Sequence, residues 1–138
     1  MIVVLDTNVL VAGLLKPYGP SAAVLRLVLT GIVQVAHDYR ILAVYREVLS
    51  RPVFGFAPAA VDAFLAQIEE DGVAVTPPPV SFPWPDPTDA PFWETALAAG
   101  AEALITGNRR HFPKKKVGPR VVLPAEFITE FEEAVPSK

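Results

Sequence analysis

The run Ile2-Val3-Val4-Leu5-Asp6-Thr7-Asn8 decides the fold class. Its first four residues are wholly apolar and mostly β-branched, as in a strand buried on both faces of a parallel sheet. The polar triplet then closes the strand at its carboxyl end. A similar run, Ala103-Leu104-Ile105-Thr106, leads into Gly107-Asn108 a hundred residues later. As parallel members of one sheet, the two runs bring Asp6, Thr7 and Asn8 together with Thr106 and Asn108. That edge, beyond the carboxyl ends of the strands, is where open α/β sheets bind ligands.

Working outward, helices and strands alternate. Ser21 is placed to cap a helix that runs to about Thr30 and stops at Gly31. Ile32–Ala36 reads as a strand. Asp38 opens a helix to about Ser50, with Ile41, Val44, Tyr45, Val48 and Leu49 on one face and Pro52 beyond its end. Residues 59–70 form another amphipathic helix before Gly72, and 73–75 a brief strand. Ala90–Ala99 reads as a helix closed by Gly100. A strand at Arg120–Leu123 and an acidic helix at Ala125–Ala134 complete the chain. The pattern predicts a parallel sheet with helices on both faces. Seven of the fifteen prolines fall between Pro77 and Pro91. With Val80, Phe82 and Trp84 interleaved, this stiff stretch reads as a packed crossover loop.

The chain has 138 residues, about the size of one compact domain, and the expectation is a single domain over 1–138. Its 51% apolar and 20% charged residues exclude a disordered tail. With no cysteine, disulfides, thiolate zinc sites and cysteine nucleophiles are excluded. An acid at position 6 does not suit a signal peptide, and the apolar runs fall short of the ~20 residues of a membrane span. The expected location is therefore the cytoplasm. The net charge is −3, yet six of the twelve basic residues (Arg109, Arg110, Lys114, Lys115, Lys116 and Arg120) fall within 109–120. Such a run either steers a phosphate backbone or is a solvated loop.

Several nucleotide-handling and hydrolytic classes lack their residues. No G-x-G-x-x-G follows the first strand, and no G-x-x-x-x-G-K-[ST] or G-x-S-x-G occurs. Asn8 stands where a haloacid dehalogenase-like phosphatase needs its second acid. What remains is a set of carboxylates. Asp6 is either a cap or a ligand. Asp86 and Asp89, three apart before Phe92-Trp93, are more than capping needs, and hard oxygen ligands of this kind suit Mg²⁺ or Mn²⁺. Glu47 lies on the flank of its helix, where a glutamate is ordinarily solvated. His37 and His111 show no partner pattern and read as a strand-end and a loop residue.

Four blocks in order then carry a resemblance. They are Leu5-Asp6-Thr7-Asn8-Val9-Leu10, Tyr45-Arg46-Glu47-Val48-Leu49-Ser50-Arg51-Pro52, Asp86-Pro87-Thr88-Asp89 with Phe92-Trp93-Glu94-Thr95-Ala96, and Thr106-Gly107-Asn108-Arg109-Arg110-His111-Phe112-Pro113. Together they resemble the PIN-domain family of metal-dependent ribonucleases, especially VapC-like toxins of toxin–antitoxin pairs. The resemblance implies a three-layer α/β/α fold around a mostly parallel sheet. It implies that Asp6, Glu47 and Asp89 are catalytic and bind Mg²⁺ (or Mn²⁺), with Asp86, Asn108, Asn8 and Thr106 accessory. It further implies an RNA substrate held by Arg109, Arg110 and Lys114–Lys116, a homodimer, and a small antitoxin partner. The fourth acidic position of the family is Asn108 here; an amide adds no charge and cannot act as a general base. The alternatives are an RNA-processing nuclease without an antitoxin and a non-catalytic domain that binds RNA or protein.

Overall fold

The computed structural model describes residues 1–79, 84, 86–113 and 118–134. Val80 and Phe82 of the proline-rich crossover and Lys114, Lys115 and Lys116 of the basic run lie outside the described residues.

Five strands form one parallel sheet: β1 (Ile2–Leu5), β2 (Gln34–His37), β3 (Val73–Ala74), β4 (Ala103–Ile105) and β5 (Arg120–Val122). Their order is β3-β2-β1-β4-β5. Register is set by Val3, which lies beside Val35 on one side and Ala103 on the other. Val3, Val4, Leu5, Ala103, Leu104 and Ile105 are all fully buried, which explains why β1 and β4 read as unbroken apolar runs. The helices are α1 (Thr7–Leu15), α2 (Pro20–Leu29), α3 (Tyr39–Leu49), α4 (Pro58–Asp71), α5 (Ala90–Ala99) and α6 (Pro124–Ala134).

The strand order dictates the layers. From β1 to β2 to β3 the chain moves in one direction, and right-handed crossovers place the intervening helices on one face. It then returns past β1 to reach β4, so α5 covers the other face, where it packs on β1, β2 and β4. α6 joins the first layer by packing on α2. The result is a three-layer α/β/α fold whose direction of winding reverses between β1 and β4.

Local chemistry fixes the element ends. Asp38 caps α3 by accepting a 2.9 Å hydrogen bond from the Ile41 N–H, and Ile41, Tyr45 and Leu49 form its buried stripe. Gly100 ends α5 at φ 61°, a left-handed conformation that favours glycine. At Gly72 a side chain is excluded by the backbone, since a Cβ there would come within 2.3 Å of the Val35 carbonyl oxygen.

Two expectations need correction, and one helix lies outside them. Residues 7–15 form a helix that the sequence pattern does not reveal, because apolar side chains surround it and no 3.6-residue stripe stands out. The second helix starts at Pro20, one residue before Ser21, behind a Gly19 cap; proline at the first helical position needs no N–H partner. The second strand starts at Gln34, because Gly31 and the half-exposed Ile32 belong to the turn that closes α2.

Candidate active site

A winding reversal opens a crevice at the carboxyl ends of the two strands that flank it. Here those strands are β1 and β4, and their continuations are Asp6 and Thr106–Asn108. The amino terminus of α5 meets the same edge and brings Asp89. Topology, more than local propensity, thus assembles this site.

Asp6 is 7% exposed and fixed from three directions. Its Oδ1 accepts from the Thr7 N–H at 2.8 Å, which also caps α1. Its Oδ2 accepts from the Thr106 hydroxyl at 2.8 Å and from the Asn8 amide at 3.4 Å. Thr106 Oγ1 in turn accepts from the Asn108 N–H at 3.0 Å, and Asn8 Oδ1 accepts from the Gly107 N–H at 3.0 Å. Asn8 and Thr106 therefore lock the two strand ends together. Burial raises the Asp6 pKa, although these hydrogen bonds and the nearby His111 oppose it.

Asp89 is equally buried but poorly satisfied. It occupies the N-cap position of α5 yet makes no side-chain capping bond. Its Oδ2 is buried without a hydrogen bond. His111 Nδ1 lies 3.3 Å from that oxygen, an ion-pair distance without hydrogen-bond alignment. Burial, then the negative charge of Asp6, pushes the Asp89 pKa up to about 6; His111 works against this and Asp86 adds to it.

Asp86 plays a different part. It is exposed and caps the short 3-10 turn at Pro87–Asp89, accepting from the Thr88 N–H at 3.0 Å and the Thr88 hydroxyl at 2.7 Å. Those bonds hold its carboxyl below the usual range.

Glu47 is not brought to this pocket. It is exposed and forms a two-point pair with Arg51, at 3.2 and 2.9 Å, one turn along α3. The helix explains why. Tyr45 is the α3 residue that faces the site edge, with its hydroxyl donating to the Leu5 carbonyl beside Asp6. Two residues further on, Glu47 is rotated by roughly 200°. Among the described residues no group of three or more His, Cys, Asp or Glu side chains is placed to hold one metal ion. The three-acid cluster drawn from the resemblance is thus reduced to Asp6 and Asp89.

The structure adds residues that the sequence left aside. His111, read as a loop residue, lies on a 3-10 turn (Arg109–His111) between Asp89 and Asn108, whose Nδ2 is 2.8 Å from His111 Nε2. The two contacts place the imidazole between Asn108 and Asp89. Nearby, Arg40 bridges two buried acids, Asp38 at 2.7 Å and Glu94 at 2.8 Å, tying the start of α3 to α5. The spacing of these three carries no motif, so only the fold reveals them. Arg109 and Arg110 are exposed on the same 3-10 turn as His111.

Two buried carboxylates with raised pKa values, one of them with an oxygen lacking any donor, make a pocket short of positive charge. The set is all hard oxygen, which suits Mg²⁺ or Mn²⁺ and fits an ion that takes one or two carboxylates and fills its shell with water and phosphate oxygens.

A family match agrees with this architecture: residues 2–110 match the PIN domain. No curated protein and no solved structure matches the chain. The matched stretch includes four of the five strands, Asp6, Asp89 and Asn108, and ends before β5 and α6. The chain belongs to the PIN domain family, whose members are generally nucleases and often metal-dependent.

Proposed function

We propose that this PIN-family chain is a Mg²⁺- or Mn²⁺-dependent endoribonuclease of the cytoplasm and the toxin of a toxin–antitoxin pair. The supporting observation is the convergence of Asp6 and Asp89 at the winding reversal, with Asp89 Oδ2 buried and unbonded. Asp6 and Asp89 would hold the ion, and Asn108 and Asn8 would line its surroundings. Once bound, a divalent ion lowers the pKa of a coordinated water and neutralises charge on the scissile phosphate. Thr7 and Thr106 keep Asp6 in one orientation, and His111, held by Asn108, flanks Asp89. Glu47 enters the reading through the resemblance alone. Arg109, Arg110 and the lysines 114–116 would contact flanking phosphates.

We read 1–138 as one such domain because β5 extends the sheet through β4 and α6 packs on α2. No helix among the described residues is long and apolar enough to cross a membrane. Exposed Leu15, Tyr18, Tyr39 and Val53 support a homodimer or an antitoxin interface. The test is RNA cleavage by the purified chain with Mg²⁺ or Mn²⁺ and its loss in EDTA. Growth arrest on expression, relieved by the product of a short neighbouring gene, tests the toxin role. Asn108 and the displaced Glu47 favour a second reading, a non-catalytic RNA- or protein-binding domain. Absence of cleavage with either ion would establish that reading in place of the first.

A further inference from the structure

We propose that His111 is a metal ligand that faces the ion together with Asp89, so that the pocket prefers transition ions that accept nitrogen over Mg²⁺. The inference rests on the reading of the Asp6–Asp89 pocket as a divalent-ion site and adds to it a ligand of different chemistry.

The geometry between the two side chains carries it. His111 Nδ1 lies 3.3 Å from Asp89 Oδ2, yet that oxygen is buried and receives no hydrogen bond, from His111 or elsewhere. A charge-assisted hydrogen bond would close to about 2.8 Å with its proton in line. Two atoms bound to one ion at about 2.1 Å instead stand about 3.0 Å apart in an octahedral shell and about 3.4 Å in a tetrahedral one. The gap therefore suits a third atom between them. Asp6 differs, since both of its oxygens already accept hydrogen bonds. Among the described residues no three such side chains converge on one ion, so water or phosphate oxygens would complete the shell.

The surroundings prepare the ring for this role. Metal-binding imidazoles are oriented by a partner on the second ring nitrogen, and Asn108 stands 2.8 Å from Nε2. With its oxygen turned to the ring, that amide accepts the Nε2 proton and leaves the Nδ1 lone pair for an ion. The backbone is held as well. The His111 N–H donates to the Asn108 carbonyl at 3.2 Å, and the next residue, Phe112, is buried edge-on against Trp84. The His111 side chain itself is 47% exposed, so ions reach it from solvent. Nitrogen ligands bind Co²⁺ more strongly than Mn²⁺, whereas Mg²⁺ keeps to oxygen.

Titrations of wild type and His111→Ala with Mg²⁺, Mn²⁺ and Co²⁺, followed by melting temperature without RNA, test the ligand. The variant should bind Mn²⁺ about tenfold more weakly, and Co²⁺ more weakly still, while its Mg²⁺ affinity changes less than about twofold. Pulsed EPR of Mn²⁺ bound to the wild type, which needs no variant, should show coupling to an imidazole nitrogen. Tighter binding of all three ions by His111→Ala would overturn the ligand and make His111 a counter-charge to Asp89. Equal losses for the three ions, or bound Mn²⁺ without nitrogen coupling, would overturn it too. Nitrogen coupling with no RNA cleavage would support the ligand while removing the nuclease reading. No shift with any ion in the wild type would overturn both.

Discussion

Asp89 occupies a helix N-cap without capping, and this sets the behaviour expected of its variants. Asn is also a good N-cap, so Asp89→Asn keeps shape and removes one of two facing negative charges. In EDTA the variant should be at least as stable as wild type, while its cleavage is abolished and its Mg²⁺-induced rise in melting temperature shrinks. Thermal melts with and without Mg²⁺, beside an RNA cleavage assay, check this; full cleavage with an undiminished shift would remove Asp89 from the site. Glu47→Gln makes the complementary case. Its pair with Arg51 is exposed, so the change should alter stability by no more than about 0.5 kcal/mol and leave cleavage intact. If Glu47→Gln instead loses cleavage with its fold unchanged, α3 must turn toward the pocket when substrate or metal binds. The contrast shows what was legible in single residues. Asp6 and Thr106 end buried strands, so the strand pattern places them, whereas Glu47 depends on the phase of a helix. His111 reaches Asp89 through a tertiary contact that no spacing announces.

Elements were legible where one face differs from the other. α3 and α4 carry apolar stripes, and α3, α4 and α5 have clear stops at Ser50-Arg51-Pro52, Gly72 and Gly100, so their bounds follow from the sequence to within a residue or two. α1 does not, because Val9, Leu10, Val11 and Leu14 leave no wide polar face between α2 and α3. The link between α3 and α5 was hidden as well, since it depends on Arg40 spanning from Asp38 to Glu94. Arg40→Met should destabilise the protein by on the order of 3 kcal/mol, because two buried carboxylates lose their shared cation. As Asp89 is the N-cap residue of α5, the same variant should also weaken Mg²⁺ binding. Chemical denaturation and a Mg²⁺ titration followed by melting temperature measure the two effects. A stable variant with weakened Mg²⁺ binding would assign Arg40 to positioning alone, and a variant unchanged in both would show the bridge to be dispensable.

At the scale of the whole molecule, the acidic pocket links folding, protons and metal. Asp89 titrates near 6 in the folded chain and near 3.8 when unfolded. Between those values the native state binds the extra proton, so this group makes the metal-free fold more stable as pH falls from about 7 to about 4 and less stable as pH rises. The burial of Asp6 acts in the same direction. A divalent ion requires both groups as carboxylates, so protons compete with it through the same interval. Above pH 6, Mg²⁺ at ten times its dissociation constant should stabilise the fold by about 1.4 kcal/mol, or roughly 4 °C in a chain of this size. Below pH 5 that rise should largely vanish, while the metal-free protein melts higher than it does at pH 7.5. Two features of the fold produce this crossing. The winding reversal buries Asp6 and Asp89 beside each other, and His111 offsets only part of their repulsion, leaving the rest to a proton or an ion. Asp89→Asn should flatten both curves, since it removes the shifted group and one ligand together. Melting temperatures of the two proteins across pH 4.5–8, with EDTA and with Mg²⁺, measure all four curves. A Mg²⁺ shift that persists undiminished at pH 5 in the wild type would place the ion away from Asp89.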